Sequence, residues 1–239
     1  MNLAALQTKV SADFNTNLEH ISRIIEETPK NSLILAPELC LTGYAYDDLN
    51  EASIFSKKAL EKLLSLSKNR TIALTLTTKK NNQYFNTFHF LYQEKIIHTQ
   101  SKAKLFTLNQ EEIYFTQGRE EDIQLFEYNG LKIGVVICFE LRFIDFWQKL
   151  KGADIILIPA YWGIKRKENL EVLSRALAVA NQCFVVVSNC ANDECAKSSA
   201  IISPFGEALS ADNEEVLLKN INLKEIEEMR RYLPIGLTI

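Results

Sequence analysis

A chain of 239 residues with 47% hydrophobic residues, 24% charged residues and a net charge of -3 has the profile of a globular protein large enough to bury a substantial core. That charge balance leaves no electrostatic footprint for nucleic acid or an anionic membrane surface, and no run approaches the ~20 apolar residues of a membrane span. The opening Met1-Asn2-Leu3-Ala4-Ala5-Leu6-Gln7 lacks the basic and long apolar regions of a signal peptide, which gives a cytoplasmic expectation.

In chain order, residues 2–8 alternate as a first strand, and Phe14, Leu18, Ile21, Ile24 and Ile25 mark one face of a helix ending near Pro29. Ser32 to Ala36 is a short buried strand, stopped by Pro37 and followed at once by Glu38. A turn covers 41–44. A helix over about 51–68 turns Leu60, Leu63, Leu64 and Ile54 inward. A strand over 71–77 precedes a hairpin of 84–92 with 95–99. No period persists from 101 to 121, and long structureless stretches in compact domains are usually functional. The strand pair 123–128 and 131–137 leads to Cys138, a helix over 141–150, a strand over 155–158 and a loop at Tyr161-Trp162. A helix over 167–181 presents Leu170, Leu173, Leu177 and Val179 to a core. Further strands and a short helix over 223–231 complete the chain. Nothing marks a second domain, so residues 1–239 read as one. Alternating strands and helices imply an α/β fold, and about twelve strands favour two stacked sheets.

Five cysteines, an odd number without a C-x-x-C pair, predict reduced thiols. His20, His89 and His98 have no ligand spacing to the cysteines or to each other, so no metal site is expected.

Residues 131–143 organise the rest. Leu131 to Ile137 reads as a strand buried on both faces, and Cys138 stands at its exit, where open α/β sheets put their chemistry. A following helix N-terminus would favour thiolate. The other reading of Cys138 is a small buried hydrophobe. Three further residues complement it. A thiol attacking a carbonyl carbon needs a base that later returns the proton to the leaving nitrogen. No histidine is placed for this, whereas Glu38, pinned by Pro37, is a carboxylate whose burial would suit the task. The oxyanion needs a positive charge or aimed N–H donors. Lys102 or Lys104 could supply the charge and the Phe139 backbone N–H a donor, with Glu111 or Glu112 keeping the lysine charged.

These residues resemble the three signature regions of the nitrilase, or carbon–nitrogen hydrolase, superfamily. The regions are Leu-Ile-Leu-Ala-Pro37-Glu38 with Gly43-Tyr44, then Lys102-Ala-Lys-Leu105-Phe106, then Gly134-Val-Val-Ile-Cys138-Phe-Glu-Leu-Arg142-Phe. The last looks most like the Nit/ω-amidase-like branch. The resemblance implies a four-layer αββα sandwich that dimerises and a Glu38–Lys102–Cys138 triad, with Glu111, seven residues before Gly118, as the second glutamate. It implies a cysteine hydrolase of non-peptide C–N bonds, needing no metal or cofactor and taking a small-molecule amide. Tyr44, Tyr161 and Trp162 would line the pocket, and Arg142 would hold a substrate carboxylate, as suits an ω-amide. The alternatives are an N-carbamoyl amine amidohydrolase and a redox-sensing protein using Cys190 and Cys195. This chain departs from the branch in having Gln100-Ser101 before the lysine and Ala176 to Asn181 without an internal ion pair.

Overall fold

The computed structural model describes residues 1–237. The chain opens with β1 (Asn2–Leu6), α1 (Phe14–Glu27), β2 (Ser32–Leu35) and α2 (Leu49–Leu66), then the antiparallel run β3 (Thr71–Lys80), β4 (Gln83–Tyr92) and β5 (Lys95–Ser101). A crossing segment holds the one-turn helix α3 (Glu111–Tyr114). Next come β6 (Phe126–Tyr128), β7 (Leu131–Val135), α4 (Ile144–Lys149), β8 (Ile155–Ala160), α5 (Lys167–Asn181) and β9 (Phe184–Asn189). The chain closes with β10 (Ala200–Ile202), β11 (Ala208–Ser210), β12 (Val216–Asn220) and α6 (Lys224–Tyr232).

The strands form two six-stranded sheets, ordered β12-β1-β2-β3-β4-β5 and β11-β10-β9-β8-β7-β6. Each has a parallel centre, β1-β2-β3 in one and β7-β8-β9 in the other, flanked by antiparallel neighbours. The central strands carry apolar runs because both of their faces are covered. The period of two decides which core each side chain joins. Leu3, Ala5, Leu33, Leu35, Phe88 and Phe90 turn inward to meet Val135, Ile156 and Val186 of the second sheet. Ala4, Leu6 and Ile34 turn outward onto Ile21 and Ile25 of α1 and Leu63 of α2. The result is the expected αββα sandwich, and it brings the exits of β2, β7 and β8 to one edge. The backbone N–H of Glu38 donates to the carbonyl of Ala160 across the two sheets at 3.2 Å.

Several expectations are corrected. The helix expected over 141–150 is divided: Cys138–Arg142 is a 3₁₀ turn, Phe143 is extended, and α4 begins only at Ile144. Val179 and Ile54 face solvent, at 43% and 50% exposure. Each lies on the outer side of its helix, where the apolar stripe was read too wide. The five thiols are not all reduced. Cys190 and Cys195 form a disulfide, closed by a tight loop that leaves their Cα atoms 5.9 Å apart, while Cys40, Cys138 and Cys183 remain free and buried. The crossing segment is ordered by its own contacts. Gly118 donates to the Lys102 carbonyl at 2.8 Å, and a Cβ there would stand 2.3 Å from the Ser101 carbonyl oxygen.

Candidate active site

Glu38, Lys102 and Cys138 each leave the end of a strand through a constrained backbone, and Glu111 opens the one-turn helix α3. After β2, Pro37 stops the ladder and Leu39 adopts φ +48°. Its N–H is held by Thr75 Oγ1 at 2.7 Å, which fixes Glu38 facing the sheet interface. After β5, the Lys102 N–H donates to the Asn86 carbonyl at 2.8 Å. After β7, Cys138 has φ +52°, a left-handed conformation that costs a non-glycine residue energy and recurs at functional sites.

The side chains converge without exposure to water. Lys102, Glu38 and Glu111 have side chains 0%, 0% and 2% exposed. Lys102 Nζ donates to Glu38 Oε1 at 2.8 Å, to Glu111 Oε1 at 2.9 Å and to Tyr44 Oη at 3.3 Å, which occupies all three of its donors. Glu38 Oε1 also accepts from Asn86 Nδ2 at 2.8 Å, whereas Oε2 is buried without a nitrogen or oxygen donor. The Tyr161 backbone N–H points at Cys138 Sγ from 3.5 Å. Glu140, fully buried, accepts from the Ala103 N–H at 2.5 Å and the Ile137 N–H at 2.6 Å. One carboxylate thereby ties the lysine segment to the cysteine turn.

Burial and charge work against each other here. Burial alone would depress the Lys102 ammonium, but the charges of Glu38 and Glu111 override it and hold the pKa above the ordinary lysine value. Burial raises Glu111, opposed by Lys102. Burial, then the Glu38 charge, pushes the Cys138 thiol well up, so the resting sulfur is protonated. The expected thiolate is thus corrected: a short 3₁₀ turn does not offset a dry site with two carboxylates. Burial likewise raises Tyr44 well above its ordinary value and Glu140 to about 7.

The two choices left open by sequence resolve by burial. Lys104 is only partly buried and paired with Glu120, whereas Lys102 is the lysine buried with Glu38 and Glu111. Glu112 is exposed and Glu111 is the partner. Cys138, Phe139, Arg142, Tyr161 and Trp162 line one cavity, joined by Phe106 and Arg166. Tyr44 is not in its wall; it packs edge-on against Tyr161, ring centroids 5.5 Å apart, and serves Lys102 instead. Arg142 reaches no glutamate; it lies over the Trp162 ring, 4.7 Å from the centroid, and donates to Asn169 Oδ1 at 2.9 Å. Asn86, Glu140, Phe106 and Arg166 escaped the sequence reading. An amide in the aromatic-rich middle of β4, between Phe85 and Phe88, was the available signal for Asn86. Among the described residues no cluster of His, Cys, Asp and Glu could hold a metal ion.

Comparison with known proteins decides the family. The model of the family described as carbon–nitrogen hydrolase matches residues 2–231. The chain belongs to the carbon–nitrogen hydrolase family. Among its relatives, the 2-oxoglutaramate amidase of Bacillus subtilis is 31% identical over 92% of this chain and 89% of its own length. The deaminated glutathione amidase of Escherichia coli O157:H7 is 25% identical, over 98% and 95%. A carbon–nitrogen hydrolase structure from Helicobacter pylori superposes with a TM-score of 0.87 at 21% identity, over 97% of this chain and 92% of that one. A superfamily protein from Xanthomonas campestris, whose structure carries an arsenic adduct in the active site, gives 0.87 at 20%, over 98% and 95%. As a carbon–nitrogen hydrolase with amidase relatives, the protein is an enzyme that cleaves C–N bonds of amides, and the likeness to the Nit/ω-amidase-like branch holds.

Proposed function

We propose that Cys138 is the nucleophile, Glu38 the general base and acid, and Lys102 with the Phe139 backbone N–H the oxyanion donors, in an amidase that works through a thioester. The observation that carries this reading is the division of labour on Glu38. Oε1 is taken by Lys102 and Asn86, which leaves buried Oε2 as the atom to accept the thiol proton. Moving that proton keeps the charge of the cluster constant, because a thiolate and a protonated Glu38 replace a thiol and a carboxylate. A dry site tolerates such an exchange better than net ionisation. The sulfur attacks the amide carbon and the carbonyl oxygen becomes an oxyanion. Lys102 reaches it by giving up its longest contact, the 3.3 Å one to Tyr44. Glu38 returns its proton to the leaving nitrogen and ammonia departs. Glu38 then deprotonates a water that attacks the thioester; the C–S bond breaks, the acid leaves, and Glu38 returns the proton to the sulfur. Glu111 keeps Lys102 charged while Glu38 is neutral.

The substrate is a small amide with a carboxylate at its far end, an ω-amide; the Arg142 guanidinium in the cavity wall and the 2-oxoglutaramate amidase relative support it. The enzyme acts as a cytoplasmic homodimer with residues 1–239 as one catalytic domain. Exposed Val172, Val179 and Phe205 beside the β10–β11 turn supply apolar surface for a second copy. A panel of amides, nitriles and N-carbamoyl compounds tests the reading, with Cys138→Ala as control. Ammonia released from amides alone, and lost in the variant, is expected. Release of carbon dioxide with ammonia from carbamoyl compounds in preference to amides would overturn it.

A further inference from the structure

We infer that Arg166 is the second arm of a two-arginine clamp that selects substrates by the carboxylate opposite the scissile amide. This rests on the ω-amide reading above and adds to it a specificity-determining residue. Arg142 leaves the turn after β7, and Arg166 leaves the loop after β8, yet both line the cavity that contains Cys138. The Arg166 guanidinium lies over the Phe106 ring, its Cζ 5.0 Å from the centroid, as that of Arg142 lies over Trp162. Stacking uses a guanidinium face and leaves its N–H edge available.

Of the cations next in sequence to cavity residues, Lys167 pairs with Asp212 and Glu171. Neither Arg142 nor Arg166 is among the ion pairs of the described residues, and the one side-chain acceptor of Arg142 is the neutral Asn169 amide. In a chain of net charge -3, two unneutralised guanidinium groups in one cleft favour an anion there. A carboxylate has lone pairs enough to accept from both at once. Because the two arms spring from different strand exits, both are needed to fix the carboxylate relative to the sulfur.

Kinetics on glutaramate and on uncharged valeramide, with wild type, Arg166→Gln and Arg166→Lys, test this. Arg166→Gln is expected to lower kcat/KM for glutaramate about 10- to 100-fold, mainly through KM. Its loss on valeramide should be at least about ten-fold smaller, and Arg166→Lys should fall in between on glutaramate. An equal loss on both amides, or no loss on either, overturns the clamp. A second readout does not need turnover: glutarate should protect Cys138 from iodoacetamide in wild type and fail to do so in Arg166→Gln. Protection by glutarate with no hydrolysis of any amide would sustain the clamp and sink the amidase reading. Hydrolysis of glutaramate with protection unchanged by Arg166→Gln would do the reverse.

Discussion

Glu140→Gln separates what holds the site together from what holds the fold together. Burial pushes this carboxyl from 4.5 to about 7, and the opposing N–H bonds from Ile137 and Ala103 do not undo it. A folded-state pKa above the unfolded one means that the native state binds the proton more tightly. The stability it contributes is therefore complete below about pH 4.5 and lost as pH rises through about 7. At about 1.4 kcal/mol per pH unit, the loss amounts to about 3 kcal/mol. Glutamine has the shape of the protonated acid and does not titrate. Between pH 4.5 and pH 8 the stability of the variant relative to wild type should rise by about 3 kcal/mol. Its amide has one acceptor oxygen for two backbone donors, so either the lysine segment or the cysteine turn is released. A displacement of that kind costs up to about 100-fold in kcat. Urea unfolding of both proteins across this pH range reads the difference, in which other titrating groups cancel. A gap that stays constant with pH, or a variant that loses ground as pH rises, would refute the reasoning.

Other changes probe the same cluster. Lys102→Met leaves Glu38 and Glu111 buried without their cation and should destabilise the fold by about 3–5 kcal/mol in urea unfolding; a loss below about 1 kcal/mol contradicts a shared ion cluster. Glu38→Gln keeps the volume but removes the base, so kcat/KM on an amide should fall by at least about 100-fold while the melting temperature changes little. Gly118→Ala must displace the Ser101 carbonyl, 2.3 Å from the new Cβ. It is expected to cost about 1–3 kcal/mol and to lower kcat, both measurable against wild type.

Where sequence and structure agree, a local pattern carried the information. The apolar runs of β2, β8 and β9 are buried throughout and that of β7 from Ile133 on, and the helix over Lys167–Asn181 has the bounds its spacing predicts. Pro37 and the turn after β7 put Glu38 and Cys138 at strand exits, and the family resemblance supplied Lys102 and Glu111. What stayed hidden depends on distance in the chain. Glu140 reads as an ordinary helix-start glutamate until Ala103, 37 residues away, is seen to donate to it. Arg166 lies in Lys165-Arg166-Lys167, which reads as a solvated basic run until the Phe106 ring is placed beneath it. The Cys190–Cys195 bridge was discounted because an odd cysteine count argues about frameworks, not about two residues five apart in one loop.

The claim on which the account turns is that the acyl group passes through sulfur at position 138. Rapid-quench intact-mass measurement during turnover of a slow amide, followed by peptide mapping, addresses it directly. The account predicts an acyl adduct on the peptide containing Cys138, absent in Cys138→Ala. An adduct on another residue, or undiminished hydrolysis in Cys138→Ala, would contradict it.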